Sequence, residues 1–122
     1  AAARAYVAAG AEGAYIVDLS DPRAPAVLGR CPLWDARAVE PAGRRYALAA
    51  EGPHGLAILD LADPARPALL QRIRFAPEEI CEDVDVRGAL AYLAHGRAGL
   101  IVLSVEGLLD GEARSLDWTP YR

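Results

Sequence analysis

The sequence predicts an all-β fold: a partial β-propeller of about two and a half to three four-stranded blades, with a repeat of 42–44 residues. Three observations predict it. A turn signature recurs at a fixed offset, short apolar runs alternate with Gly and Pro turns, and no stretch suits a helical repeat of similar period.

The turn signature comes first. Tyr15-Ile16-Val17-Asp18-Leu19-Ser20-Asp21-Pro22-Arg23-Ala24-Pro25 aligns with Leu56-Ala57-Ile58-Leu59-Asp60-Leu61-Ala62-Asp63-Pro64-Ala65-Arg66-Pro67. Asp18 to Asp60, Asp21 to Asp63, Pro22 to Pro64 and Pro25 to Pro67 are each 42 residues apart. A third copy begins at Leu100-Ile101-Val102-Leu103, with Ser104 in place of the Asp, and then departs as Val105-Glu106-Gly107. Upstream, Ala5-Tyr6-Val7-Ala8 matches Ala91-Tyr92-Leu93-Ala94, and Ala47-Leu48-Ala49-Ala50 fills the middle slot.

Each copy has the same grammar. Ala5 to Ala9 is a short apolar run ending at the turn Gly10 to Gly13. Ala14 to Leu19 is apolar on both faces, as a strand sandwiched between neighbouring sheets requires. Asp21-Pro22 then starts a type I turn, Asp accepting from backbone N–H groups and Pro setting φ. Ala26-Val27-Leu28 and its counterpart Ala68-Leu69-Leu70 form the third run. Ala36 to Glu40 before Gly43, and Asp83 to Val86 before Gly88, form the fourth. With 9 Pro and 11 Gly, no helical stretch of the usual ten to twelve residues survives. The repeats are read as residues 4–33, 34–77 and 78–106, with 107–122 as a non-repeat extension.

Composition narrows the functional classes. A hydrophobic fraction of 53% over 122 residues supports a packed core. The net charge of −4 argues against nucleic acid as a partner, which would call for a basic stripe. No apolar run reaches the roughly 18 residues of a membrane helix, so no membrane insertion is expected. The 13 basic residues are all Arg, which codon usage explains. Ala1-Ala2-Ala3-Arg4 has no secretory pattern and leads straight into strand-like sequence. Cys31 and Cys81 lie 50 residues apart, off the 42-residue period, and read as two buried free thiols.

The runs Tyr15-Ile16-Val17-Asp18, Leu56-Ala57-Ile58-Leu59-Asp60 and Leu100-Ile101-Val102-Leu103, with the Asp-Pro-x-x-Pro turns and the Ala-Tyr-Val-Ala pattern, resemble the LVIVD repeat proteins. The resemblance covers residues 4–104 and implies the propeller-like fold. It also implies a bacterial or archaeal source and an extracellular, periplasmic or surface-associated location. It names no activity.

A propeller closes with about 4 to 8 blades, and open sheet edges invite association. The expected partners are therefore proteins: the remaining blades of a longer protein, further copies completing a ring, or a larger complex. A third arrangement leaves the blades open, with Gly107 to Arg122 folding back as a cap.

Candidate chemistry gathers on one face, where the second-to-third-strand loops meet the blade-joining segments. The loops are Gly10 to Gly13, Glu51 to Gly55 and His95 to Gly99. The segments carry Trp34-Asp35-Ala36-Arg37 and Glu78 to Asp83. His54 and His95 stand in comparable loops and, with Asp83 at the start of an inner strand, form the candidate divalent-metal set. Two exposed loop histidines are the structural alternative. Glu78, Glu79, Glu82, Asp83 and Asp85 could attract a hard cation, but lack the spacing of a calcium loop and read otherwise as solvated charge. Trp34, Asp35, Arg37, Glu79, Glu82 and Arg97 are the candidate interaction surface, with Trp118 and Tyr121 beyond the repeats. The structural alternative for Trp34 is to cover the blade junction. Metal, haem, phosphate-loop and nucleophile-elbow motifs are absent, and no cofactor is predicted beyond that divalent metal. The expectation is a non-catalytic interaction or scaffold segment; the alternative is a metal-binding or enzymatic propeller with its site at the channel mouth.

Overall fold

A computed structural model of the chain describes residues 3–75, 80–109 and 120–121. The described residues form three antiparallel sheets in chain order. The first holds β1 (Arg4–Ala8), β2 (Ala14–Asp18) and β3 (Ala26–Cys31). The second holds β4 (Ala38–Ala42), β5 (Tyr46–Ala50), β6 (Leu56–Asp60) and β7 (Ala68–Ile73). The third holds β8 (Cys81–Arg87), β9 (Leu90–His95) and β10 (Leu100–Ser104), and its outer position is taken by β11 (Pro120–Tyr121). Neighbouring sheets pack face to face, as successive blades of a partial propeller do.

The alternation of side chains explains the packing. In the middle sheet Ala47, Ala49, Ala57 and Leu59 face the first sheet, where they bury Ala14, Ile16, Cys31 and Leu33. Leu48, Ala50, Leu56 and Ile58 point the other way, onto Val84, Ala91, Leu93, Ile101 and Leu103. Both faces of β5 and β6 are therefore core, which is why Leu56 to Leu61 shows no polar alternation; in β2 only Ala14 and Ile16 are buried, and Tyr15 and Val17 on its other face are half-buried.

The 42-residue period holds at the level of single hydrogen bonds. Asp18 Oδ1 accepts the Ser20 N–H at 2.9 Å, and Asp60 Oδ1 accepts the Ala62 N–H at 2.9 Å. Asp21 and Asp63 accept from Arg23 and Ala65 at 3.0 and 3.1 Å, closing matched turns. The register of β2 on β3 shifts between Ile16 and Val17, and that of β6 on β7 shifts between Ile58 and Leu59, 42 positions on. Gly13 and Gly55, at φ 94° and 88°, turn the chain where a Cβ would strike the Cys31 and Ile73 carbonyl oxygens.

The third copy departs where its sequence does. Ser104 replaces the repeat Asp, and its Oγ accepts the Gly107 N–H at 3.2 Å. A short helix α1 (Val105–Leu109) follows and buries Leu108 in the core between the second and third sheets.

Candidate functional site

Two pairs of backbone bonds build the face on which the loops gather. Gly10 and Ala36 exchange N–H···O bonds of 2.9 Å, and Gly52 and Cys81 exchange bonds of 2.8 Å. Each loop after an inner hairpin strand is thus tied to the segment entering the next blade. At Gly52, at φ 58°, a Cβ would lie 2.7 Å from Arg37 Nε, so glycine lets the Arg37 side chain cross the loop. Arg37 Nε donates to Asp35 Oδ2 at 2.9 Å, and its Nη1 lies 3.7 Å from Glu82 Oε1. The loop face brings Asp35, Arg37 and Glu82 together.

The buried anchor beside this group is Glu51. It follows β5, donates its N–H to the Gly55 carbonyl at 2.8 Å, and is 0% exposed. Its Oε2 accepts the Trp34 backbone N–H at 2.8 Å, and its Oε1 accepts Arg72 Nε at 2.7 Å. A buried carboxylate persists only when its lone pairs are filled, and here backbone and guanidinium both fill them. The Arg72 guanidinium then stacks 3.7 Å from the centroid of the Trp34 ring. The His54 ring lies 4.8 Å from the same ring, tilted by 60°. Trp34 remains 60% exposed although held at its backbone and against two side chains. Trp34, His54, Arg72 and Arg74 line an open cleft of about 320 Å³, and Arg74 Nη2 donates to the Pro53 carbonyl at 2.9 Å.

His95 stands elsewhere. The bond from the Glu51 N–H to Gly55 has counterparts from Ala9 to Gly13 and from His95 to Gly99, both 2.9 Å. Ala9, Glu51 and His95 are therefore the same position in three blades, and His95 is the counterpart of Glu51 rather than of His54. It is 1% exposed, neither ring nitrogen has a hydrogen-bond partner among the described residues, and its ring meets Phe75 edge-on at 5.8 Å. Asp83, on β8, is exposed and its Oδ1 accepts the Val84 N–H at 2.9 Å. Among the described residues no three His, Cys, Asp or Glu side chains converge as a metal set would. Arg97 is exposed in the turn before β10. Tyr121 is placed by its backbone in β11, while Glu78, Glu79 and Trp118 lie outside the described residues.

Both cysteines are free and buried. Burial, with Asp83 adding to it, pushes the Cys81 thiol up to about 12. Burial and the Glu51 charge raise the Cys31 thiol as well. Neither offers the thiolate that nucleophilic chemistry needs at neutral pH. The arrangement suits binding: a rigid, exposed aromatic plane backed by a guanidinium, with a mixed-charge group beside it.

Reasoning from sequence found Trp34, Asp35, Arg37 and Glu82 but missed Glu51, Arg72 and Arg74. One signal was present: Glu51 and His95 are polar where the first copy has Ala9, at the last position of an apolar run. No curated protein and no solved structure matches the chain. The sequence model of the LVIVD repeat matches residues 5–32 and 43–74, which cover β1 to β3 and most of the second sheet. With that match, and the same turns and register shifts recurring 42 residues apart, the chain carries two copies of the LVIVD repeat.

Proposed function

We propose that the chain is a non-catalytic interaction segment of a larger β-propeller, whose loop face engages protein through Trp34. The observation carrying this reading is the exposed Trp34 ring, stacked 3.7 Å from Arg72 on a backbone tied to buried Glu51. An aromatic fixed before binding loses little entropy on association, the property of interface hot spots. Asp35, Arg37 and Glu82 add a polar rim of both signs.

The ends of the stack support further blades. Val7 on the first sheet and Leu90 and Leu100 on the third are exposed apolar side chains on their outer faces. Additional blades, from a longer chain or from further copies, cover them. The isolated chain then associates, and sedimentation giving a stable 12.9 kDa monomer would refute ring completion.

The loop face has its own test. Wild-type and Trp34→Ala chains are recovered from source cells, and each co-purifying protein is quantified by mass spectrometry. At least one partner falls about tenfold or more, the scale of a hot-spot truncation, while the melting temperature is unchanged. Equal recovery of every partner overturns the assignment of this face.

A further inference from the structure

The end of the sheets opposite Trp34 carries a second feature. β1 begins with Arg4 paired across to Asp18, the last residue of β2, so Arg4 lies at the Asp-Pro turn end. The hairpin between β4 and β5 brings Gly43, Arg44 and Arg45 to the same end of the neighbouring sheet. Gly43 takes φ 74°, which allows the tight hairpin that sets two arginines in succession.

Two adjoining hollows lie at this junction. One, of about 140 Å³, is lined by Arg4, Tyr6, Gly43 and Arg44. The other, of about 240 Å³, is lined by Arg4, Arg44, Arg45, Leu61 and Ala62. Arg4 and Arg44 line both, and among the described residues no carboxylate lines either. Two acids lie nearby, and the charge of one of them, Asp18, acts on Arg4 without a hydrogen bond to it. Asp60 accepts from Arg45 at 3.2 and 3.3 Å, and Asp18 accepts the Ser20 hydroxyl at 2.6 Å. Arg4 Nε is shielded from solvent and has no hydrogen-bond partner among the described residues. Arg44 makes no hydrogen bond or ion pair with any described residue. Two guanidinium groups therefore border one hollow without an acceptor between them, in a chain whose net charge is −4. The other blades have no such pair: the counterparts of Arg4 are Tyr46 and Leu90, and those of the hairpin arginines are Gly88 and Ala89.

We propose that this junction is an oxyanion site that takes a phosphate monoester. Planar guanidinium forks match phosphate oxygens, and such charge-assisted bonds are among the strongest in water. Arg4 and Arg44 hold the phosphate, Arg45 stays on Asp60 and adds field, and the Tyr6 ring forms the wall for the organic part.

The test titrates the full chain by NMR with inorganic phosphate and with phenyl phosphate, against chloride at equal ionic strength. Saturable shifts centred on Tyr6, Gly43 and Arg44 are expected, with phenyl phosphate binding more tightly. Arg44→Gln weakens binding about tenfold, and Arg4→Gln does so with the strand signals retained. Arg23→Gln, on a turn at the same end but outside both hollows, leaves binding unchanged. Non-saturating shifts, or equal losses in Arg23→Gln and Arg44→Gln, overturn the site, since diffuse surface charge would then account for the response. Equal affinity for the two phosphates overturns the role of Tyr6.

Discussion

Replacing Glu51 by Ala tests both the fold and the loop face. Three losses follow. The Trp34 N–H, bonded at 2.8 Å and partly buried, is left without an acceptor, which costs at most the roughly 1–3 kcal/mol of a fully buried unpaired donor. The Arg72 pair at 2.7 Å is broken; side-chain exposure of Arg72 is 21%, so it recovers part of its solvation and the cost falls below the 3–5 kcal/mol of a fully buried pair. A small cavity remains under the loop. Together these give roughly 2–4 kcal/mol, read as a lowered urea midpoint with an unchanged slope. Glu51→Gln keeps an acceptor for Trp34 but loses the charge on Arg72, and falls about midway. Trp34 also loses its anchor, so near-UV circular dichroism weakens in Glu51→Ala. A loss under about 0.5 kcal/mol would refute the reasoning, because a surface substitution does no more.

Three further outcomes are expected. Glu40 is raised above the ordinary glutamate range by burial, with Asp85 and Asp83 adding repulsion. The folded state thus holds its proton to higher pH than the unfolded chain, and stability falls as pH rises through that window; Glu40→Gln stabilises at pH 7 by under about 1 kcal/mol and loses the advantage below the unfolded value, checked by urea titrations at several pH values. Cys81, at about 12, and buried Cys31 resist iodoacetamide in the native protein and react at the rate of unfolding, which mass spectrometry follows in urea; fast labelling at pH 8 without denaturant would contradict their burial. His95→Leu removes two buried nitrogens that bond to no described residue, so thermal stability holds or rises by about 1 kcal/mol; a large loss would mean the imidazole has a partner.

The blades were legible because turn chemistry is local. Asp21-Pro22 and Asp63-Pro64 specify their turns from within a few residues, and the strands between them follow from apolar runs. The helix α1 was foreshadowed only as a departure, since its Ser104 cap also reads as a failed repeat Asp. β11 was not legible: two residues on an edge leave no periodic trace. At the site, Trp34, Arg37 and Glu82 stood out as polar or aromatic residues in linkers. Glu51 and Arg72 did not, because their pairing spans 21 residues and depends on β7 lying beside the loop after β5. His95 was grouped with His54 by nearness to a loop; the hydrogen bond to Gly99 aligns it with Glu51 instead.

The two inner strands of the middle sheet, β5 and β6, have almost no outside. Ala47, Leu48, Ala49 and Ala50 are each fully enclosed, half by one neighbour and half by the other. Such a sheet cannot persist alone, so it couples its neighbours as the central term in a nearest-neighbour series. Amide protons of β5 and β6 should be the last to exchange, and only when the whole stack opens. Trimming either flank would then lower the protection of a strand that the excised residues never bonded.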